Sequence, residues 1–166
     1  AGELLRELQR RAEQQPGGAE VFADARRTLS VASVDHARQS GDFARAYDEA
    51  VMALSSDPDN EALVLALGRV YQEGGLHREA AVTYDWLLAR PGPQLPARRA
   101  AVANALAMND VDRAEQLLEQ AAPLEDSEPL LLAARPASPS GGSRCPLAPA
   151  DQAAVHRRLS HRERAP

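Results

Sequence analysis

Residue types that often carry out chemistry are present in this sequence, but their spacing does not assemble a reaction centre. The histidines are scattered, at His36, His77, His156 and His161. A metal site needs clustered ligands, and His36 and His77 have no carboxylate or cysteine at ligand spacing. Cys145 is the only cysteine. We therefore predict no metal site and no bound cofactor.

The carboxylates and glycines fit turns better than catalysis. Asp57 and Asp59 flank Pro58 between two helical stretches, where turn formation explains them without a general acid or base. Gly74 and Gly75 follow no strand and precede no lysine, so they do not form a phosphate-binding loop. We expect no catalytic residue, and the sequence predicts a protein that is not an enzyme.

Two aromatic residues suggest stacking on a sugar as an alternative. Tyr84 stands at a recurring apolar position of a helix, which favours burial between helices. Trp86 falls two residues later, toward another face, where it either packs on the following unit or stays partly exposed.

Composition limits the remaining possibilities. The chain has 166 residues, of which 44% are hydrophobic and 26% are charged, enough for one modest core. Residues 1–135 contain more acidic than basic residues, which disfavours nucleic acid as a partner. No apolar run approaches the ~20 residues that span a bilayer, so we predict no membrane insertion.

A helical unit recurs at intervals of 34 residues. Gly41, Gly75 and Asn109 take the same turn position, and apolar residues follow each turn at three- and four-residue spacing, which predicts helices. Short turns make neighbouring helices antiparallel. The predicted helix pairs are 27–38 with 43–55, 61–73 with 77–89, and 96–108 with 111–121.

These units predict an all-α, right-handed helical solenoid of about three helix-turn-helix repeats, over 27–60, 61–94 and 95–128. Residues 1–18 are expected to be the trailing helix of a preceding repeat in a longer array. Residues 129–166 are expected to be an incomplete repeat and a disordered, basic tail rich in Pro, Ser and Gly. The alternative for residues 150–164 is a short basic helix that lacks a convincing apolar face. Deleting 136–166 should then leave the melting temperature unchanged.

The middle unit resembles the tetratricopeptide repeat family. Leu67-Gly68, Tyr71, Gly75, Ala80 and Tyr84 fall where that family places leucine-glycine, tyrosine, glycine, alanine and an aromatic residue. The outer units depart from the pattern, with Ser33-Val34 and Ala101-Val102 in place of leucine-glycine. The resemblance implies a packing role for one set of residues: Gly41, Ala46, Leu67, Gly68, Tyr71, Gly75, Ala80, Tyr84 and Ala114.

Within that family, "SVDHARQSGDFARAYDEAVMALSSDPDNEALVLALGRVYQEGGLHREAAVTYDWLLAR", with "VDRAEQLLEQA" after it, is similar to the periplasmic repeats of the bacterial cellulose synthase operon protein C family. The likeness covers roughly 16–135. It implies a periplasmic, non-enzymatic scaffold in cellulose (exopolysaccharide) synthesis and export, with cellulose synthase or export components as protein partners. The alternative is a cytoplasmic tetratricopeptide adaptor in regulation or complex assembly.

The resemblance also implies a concave groove lined by the first helix of each unit. Arg38, Arg69 and Arg99 are expected to form a basic ladder there, with Leu65 and Leu106 as apolar contacts. No inward position is aromatic, so we expect weak or no direct glucan binding and a protein partner instead. A solvated inner face is the alternative. The inward positions are Val31, Asp35, Arg38, Gln39, Leu65, Arg69, Gln72, Glu73, Arg99, Ala103 and Leu106.

Overall fold

The computed structural model of the chain describes residues 7, 10, 11, 17–92, 94–120 and 152–162, and every regular element within them is a helix. The all-α prediction is confirmed. In chain order the helices are α1 Gly18–Gln39, α2 Phe43–Ser56, α3 Glu61–Glu73, α4 His77–Leu88, α5 Leu95–Ala107, α6 Val111–Glu119 and α7 Gln152–Arg162.

The bounds of α2 to α6 lie within two residues of those predicted from the sequence. Helix α1 differs, because it begins at Gly18 rather than at residue 27. No proline interrupts the chain between these points, so nothing ends the helix there. The expected leading helix in 1–18 and the end of the third repeat, 121–128, lie outside the described residues apart from 7, 10, 11, 17 and 18.

The turn within each helix pair has the same backbone conformation. Gly41 and Gly75 both have φ 79°, and Asn109 has φ 59°. This left-handed region is strained for most residues but is open to glycine and tolerated by asparagine. After each turn the chain bonds back in the same way: the amide nitrogens of Asp42, Leu76 and Asp110 donate to the carbonyls of Ala37, Tyr71 and Ala105.

Side-chain caps start several helices. Asp42 accepts a hydrogen bond from the Arg45 amide at 3.0 Å, and Asn60 accepts one from Leu63 at 3.1 Å. Asp110 caps α6 in the same way, at 3.1 Å. Such caps satisfy amide groups that the first turn of a helix leaves without partners, and each contributes about 1 kcal/mol.

Each helix from α1 to α5 packs on the next, and the first helix of each pair also packs on the first helix of the following pair, α1 on α3 and α3 on α5. Small residues allow this close approach. Ala46, Ala80 and Ala114, at equal offsets in the three units, are 0%, 0% and 3% exposed. The packing is that of a helical repeat with one continuous core.

The residues expected to pack between helices lie in the core or in the turns. The buried members are Ala46, Leu67, Gly68, Tyr71, Ala80, Tyr84 and Ala114, whereas Gly41 and Gly75 occupy turns. Tyr47 adds a tilted ring contact to Tyr71, with centroids 5.9 Å apart.

The expectation of a disordered tail is wrong for residues 152–162, which form α7 and pack against α2. Val155 and Leu159 join the hydrophobic core, at 7% and 0% exposure. Two apolar residues four positions apart form only a narrow apolar stripe on a helix. The sequence alone does not show which surface of the protein covers this stripe. The predicted incomplete repeat and the rest of the tail, 129–151 and 163–166, lie outside the described residues.

Candidate protein-binding groove

The first helices of the three pairs enclose a groove of about 680 Å³. We call it the arginine groove. It lies between the end of α1, the second half of α3 and the start of α5. Its lining consists of Arg38, Arg69, Gln72, Glu73, Leu95, Pro96, Arg99, Ala100 and Ala103.

The structure brings six of the inward positions named from the sequence into this groove: Arg38, Arg69, Gln72, Glu73, Arg99 and Ala103. Leu65 and Val31 instead pack against the core. Leu106 is 55% exposed and does not line the groove. Asp35 does not line the groove but bonds to Arg38, which does. Gln39 is exposed and lies outside the groove.

Arg38 is neutralised within the protein. Its Nη1 lies 2.5 Å from Glu73 Oε1, and its Nη2 lies 3.0 Å from Asp35 Oδ1. The side chain is only 13% exposed, so solvent screens these contacts less than those of a surface pair. Arg38 therefore ties the end of α1 to the end of α3, and the two carboxylates that it contacts more than balance its charge.

Arg69 and Arg99 differ from Arg38, since neither forms an ion pair with any residue that the structure describes. Arg69 is half-buried and Arg99 is exposed. A guanidinium group offers several N–H donors in a planar fork that matches a carboxylate. The expected ladder of three arginines is thus two available cations beside one paired cation.

The Gln72 side chain is positioned by a hydrogen bond from the core side of the groove. The hydroxyl of Tyr84 donates a hydrogen bond to Gln72 Oε1 at 2.8 Å. Burial raises the pKa of Tyr84, which the nearby positive charge of Arg69 opposes. The hydroxyl therefore stays protonated at neutral pH and keeps the Gln72 side chain fixed between the core and the groove.

The apolar side of the groove consists of Leu95, Pro96 and Ala100. The sequence had predicted Leu65 and Leu106 as the apolar contacts. Proline fits the first turn of a helix because its missing amide hydrogen has no partner there in any case. The Leu-Pro pair at the start of α5 was the available signal. Gln94 Nε2 donates to Glu61 Oε2 at 3.0 Å and ties this end of α5 to α3.

A second concavity, of about 420 Å³, lies between α1 and α2. Its charges largely satisfy one another. Arg27 Nε lies 2.9 Å from Asp57 Oδ2, and this hydrogen bond lowers the pKa of the Asp57 carboxyl. Burial opposes ionisation of Glu49, but hydrogen bonds from Ser33 and Arg45 outweigh it and lower the Glu49 pKa. This site offers a ligand less free charge than the arginine groove.

Neither of the two aromatic residues considered for sugar stacking has both ring faces accessible to a ligand. Tyr84 is fully buried. Trp86 is half-buried, and the guanidinium carbon of Arg90 lies 4.0 Å from its ring centroid, which covers one face. Arg90 also contacts Asp59 at 2.7 Å.

Within the described part of the chain, no cluster of three or more His, Cys, Asp or Glu side chains has the arrangement of a metal site. The described helices also include none that combines the length and apolar character needed to cross a bilayer.

Known proteins match part of this chain. Cellulose synthase operon protein C from Komagataeibacter sucrofermentans (strain ATCC 700178 / DSM 15973 / CECT 7291 / JCM 9730 / LMG 18788 / BPR 2001) is 37% identical over 103 residues, which is 61% of this chain and 8% of that protein. A protein of the same name from Komagataeibacter xylinus is 39% identical over 88 residues, 52% of this chain and 7% of that protein. No family model and no solved structure matches. The chain thus resembles a short portion of much longer relatives.

Proposed function

We propose that this chain is part of a tetratricopeptide-type scaffold, without enzymatic activity, that binds protein partners during bacterial cellulose synthesis and export in the periplasm. Two observations support the proposal. The chain is similar to a portion of cellulose synthase operon protein C, and its helix pairs repeat with equivalent turns and packing. Cellulose synthase or an export component is the proposed partner.

We choose a protein ligand because Arg69 and Arg99 lie beside the apolar surface of Leu95 and Pro96 in the groove. Cations next to apolar side chains suit a protein segment that presents carboxylates between apolar residues. Cellulose is uncharged and would need aromatic faces for stacking, but no aromatic side chain lines the groove. We therefore expect protein recognition and little or no direct glucan binding.

An NMR titration of the full chain tests this choice with two probes, a synthetic peptide that alternates glutamate with leucine and the soluble sugar cellohexaose. We expect the peptide to shift the amide signals of α3 and α5 around the groove, and cellohexaose to shift none. Arg69→Ala combined with Arg99→Ala should weaken peptide binding at least about tenfold, because a hydrogen bond to a charged group contributes roughly 1.5–3 kcal/mol.

A double variant with the same change in charge, Arg26→Ala with Arg78→Ala, serves as the control. Both residues are exposed and lie outside the arginine groove. This control should retain peptide binding. Shifts confined to the groove with cellohexaose and absent with the peptide would show that the ligand class is wrong, and equal losses in both double variants would mean that only net charge matters.

A further inference from the structure

The seat of α7 is a surface formed by α2, the turn before α4 and the start of α4. We call it the α2–α4 face, defined by Tyr47, Asp48, Val51, Gly74 and Glu79. Helix α7 is basic, and it makes two polar contacts with this face. His156 Nε2 lies 3.1 Å from Asp48 Oδ2, and Arg158 pairs with Glu79.

Between these polar contacts the interface is apolar, and it buries two side chains of α7. Leu159 is fully buried, and a β-carbon added at Gly74 would overlap Leu159 Cδ2. The missing side chain at Gly74 therefore makes the depression that Leu159 fills. Val155, one helical turn earlier, is 7% exposed. The face thus selects two apolar residues four positions apart.

The contact is also incomplete. A cavity of about 520 Å³ remains between Tyr47, Val51 and Met52 of α2 and the start of α7. Met52 is 69% exposed, and the His156–Asp48 and Arg158–Glu79 contacts are both accessible to solvent. Exposed pairs contribute little to stability, so the buried Leu159 and Val155 provide most of the contact. We therefore expect α7 to leave its seat more readily than α1 to α6 unfold.

We propose that the α2–α4 face is a binding site for a short basic helix that has two apolar residues four positions apart, and that α7 occupies it in cis. A partner helix of the same chemistry then competes with α7 for this face. Three features support the assignment: an apolar depression at Gly74, acidic side chains on either side of it, and a resident helix that matches both. This site is separate from the arginine groove, and it does not depend on the function proposed for that groove.

The test uses the full chain and a fluorescein-labelled peptide of residues 150–164 as the probe. In the wild-type chain α7 covers the face and competes at the high local concentration of a tethered segment. Leu159→Asp places a carboxylate in the apolar seat and releases α7. We expect the peptide to bind this variant at least about tenfold more tightly than the wild-type chain by fluorescence anisotropy.

Further variants of the peptide and of the chain control for nonspecific binding and for misfolding. The peptide with its own Leu159→Asp change should not bind either chain. Since Leu159→Asp could disturb folding, Leu159→Ala provides a milder second route to release α7, because it removes most of the buried contact without adding a charge, and the exposed-site variant His161→Ala should leave peptide binding as it is in the wild-type chain. Equal peptide affinity for the wild-type chain and for a folded release variant, or no binding to a folded release variant, would overturn the proposal.

Discussion

Gly68 lies directly under the ring of Tyr84, where the first helix of the middle pair meets the second. A β-carbon built at Gly68 would overlap Tyr84 Cε1 and would lie 3.0 Å from Cδ1 and 3.1 Å from Cζ. Real contacts are not this short, so the ring would have to shift. Tyr84 is fully buried, which leaves little room for that shift.

We therefore expect Gly68→Ala to lower the free energy of unfolding by about 1–3 kcal/mol, although alanine favours helices more than glycine does. Urea denaturation measures the change. In a Tyr84→Leu background the same substitution should cost less, because the ring that it meets is gone. An equal cost in both backgrounds would contradict this packing.

The buried hydroxyl of Tyr84 makes the free energy of unfolding decrease at high pH. Burial raises its pKa above the ordinary value of 10.0, while Arg69 opposes this rise. Since the folded protein favours the protonated hydroxyl, the contribution to stability is complete below pH 10 and is lost as the pH rises further. Burial raises the pKa of Tyr47 in the same direction.

Tyr84→Phe should accordingly lose less stability than the wild-type chain between pH 9 and pH 11. At pH 8 we expect the variant to be less stable by about 1 kcal/mol, because the hydrogen bond to Gln72 is missing. Urea denaturation at each pH gives both quantities. Some alkaline loss should remain from Tyr47, but a loss identical to that of the wild-type chain would contradict the assignment to Tyr84.

At the scale of elements, α7 changes what the end of the chain does. The sequence predicted that its removal would leave the melting temperature unchanged, whereas the structure buries Leu159 completely against α2 and the Gly74 turn. A buried leucine contributes through the apolar area that it removes from water and through close contacts. The end of the chain therefore adds to the core.

Leu159→Ala should lower the free energy of unfolding by about 2 kcal/mol and the melting temperature by several degrees. His161→Ala is the matched control, since that side chain is exposed on the same helix, and it should have little effect. Thermal denaturation followed by circular dichroism compares the two. Identical melting curves for both variants would show that α7 does not contribute to the folded core.

At the scale of the whole molecule, equivalent positions of successive units differ in burial. Ala50 and Tyr84 are both fully buried, but Leu118, at the same offset in the last described pair, is 57% exposed. Val111 and Leu106 on this pair are also at least half exposed. In a stacked array, each unit covers the apolar face of its neighbour. No described helix covers α6 in this way.

Adjacent leucines in α6 test this difference directly. Leu117 is 2% exposed, and Leu117→Ala should cost about 2–5 kcal/mol. Leu118→Ala should change the free energy of unfolding by no more than about 0.5 kcal/mol, as for an ordinary surface site. Chemical denaturation of the two variants gives the comparison. A large cost at Leu118 would mean that this face is covered in solution.

The sequence by itself determined the features that depend on neighbouring residues. Apolar spacing predicted the helices, and Gly41, Gly75 and Asn109 marked the turns because few residues accept a left-handed backbone. The groove positions Arg69 and Arg99 followed from the repeat offset carried over from a known family. The helix spacing and the turn residues recur along the chain at the same offset, so the prediction made for one unit supported the prediction made for the next.

The tertiary structure alone decided which of these side chains have partners. Arg38 is paired with Glu73, a residue 35 positions away. The buried Asn104 satisfies its side-chain amide through hydrogen bonds to His77 of the neighbouring helix pair. The seat of α7 requires Asp48, Gly74 and Glu79 to meet the end of the chain. Such contacts depend on distances between segments far apart in sequence, and local periodicity carries no information about those distances.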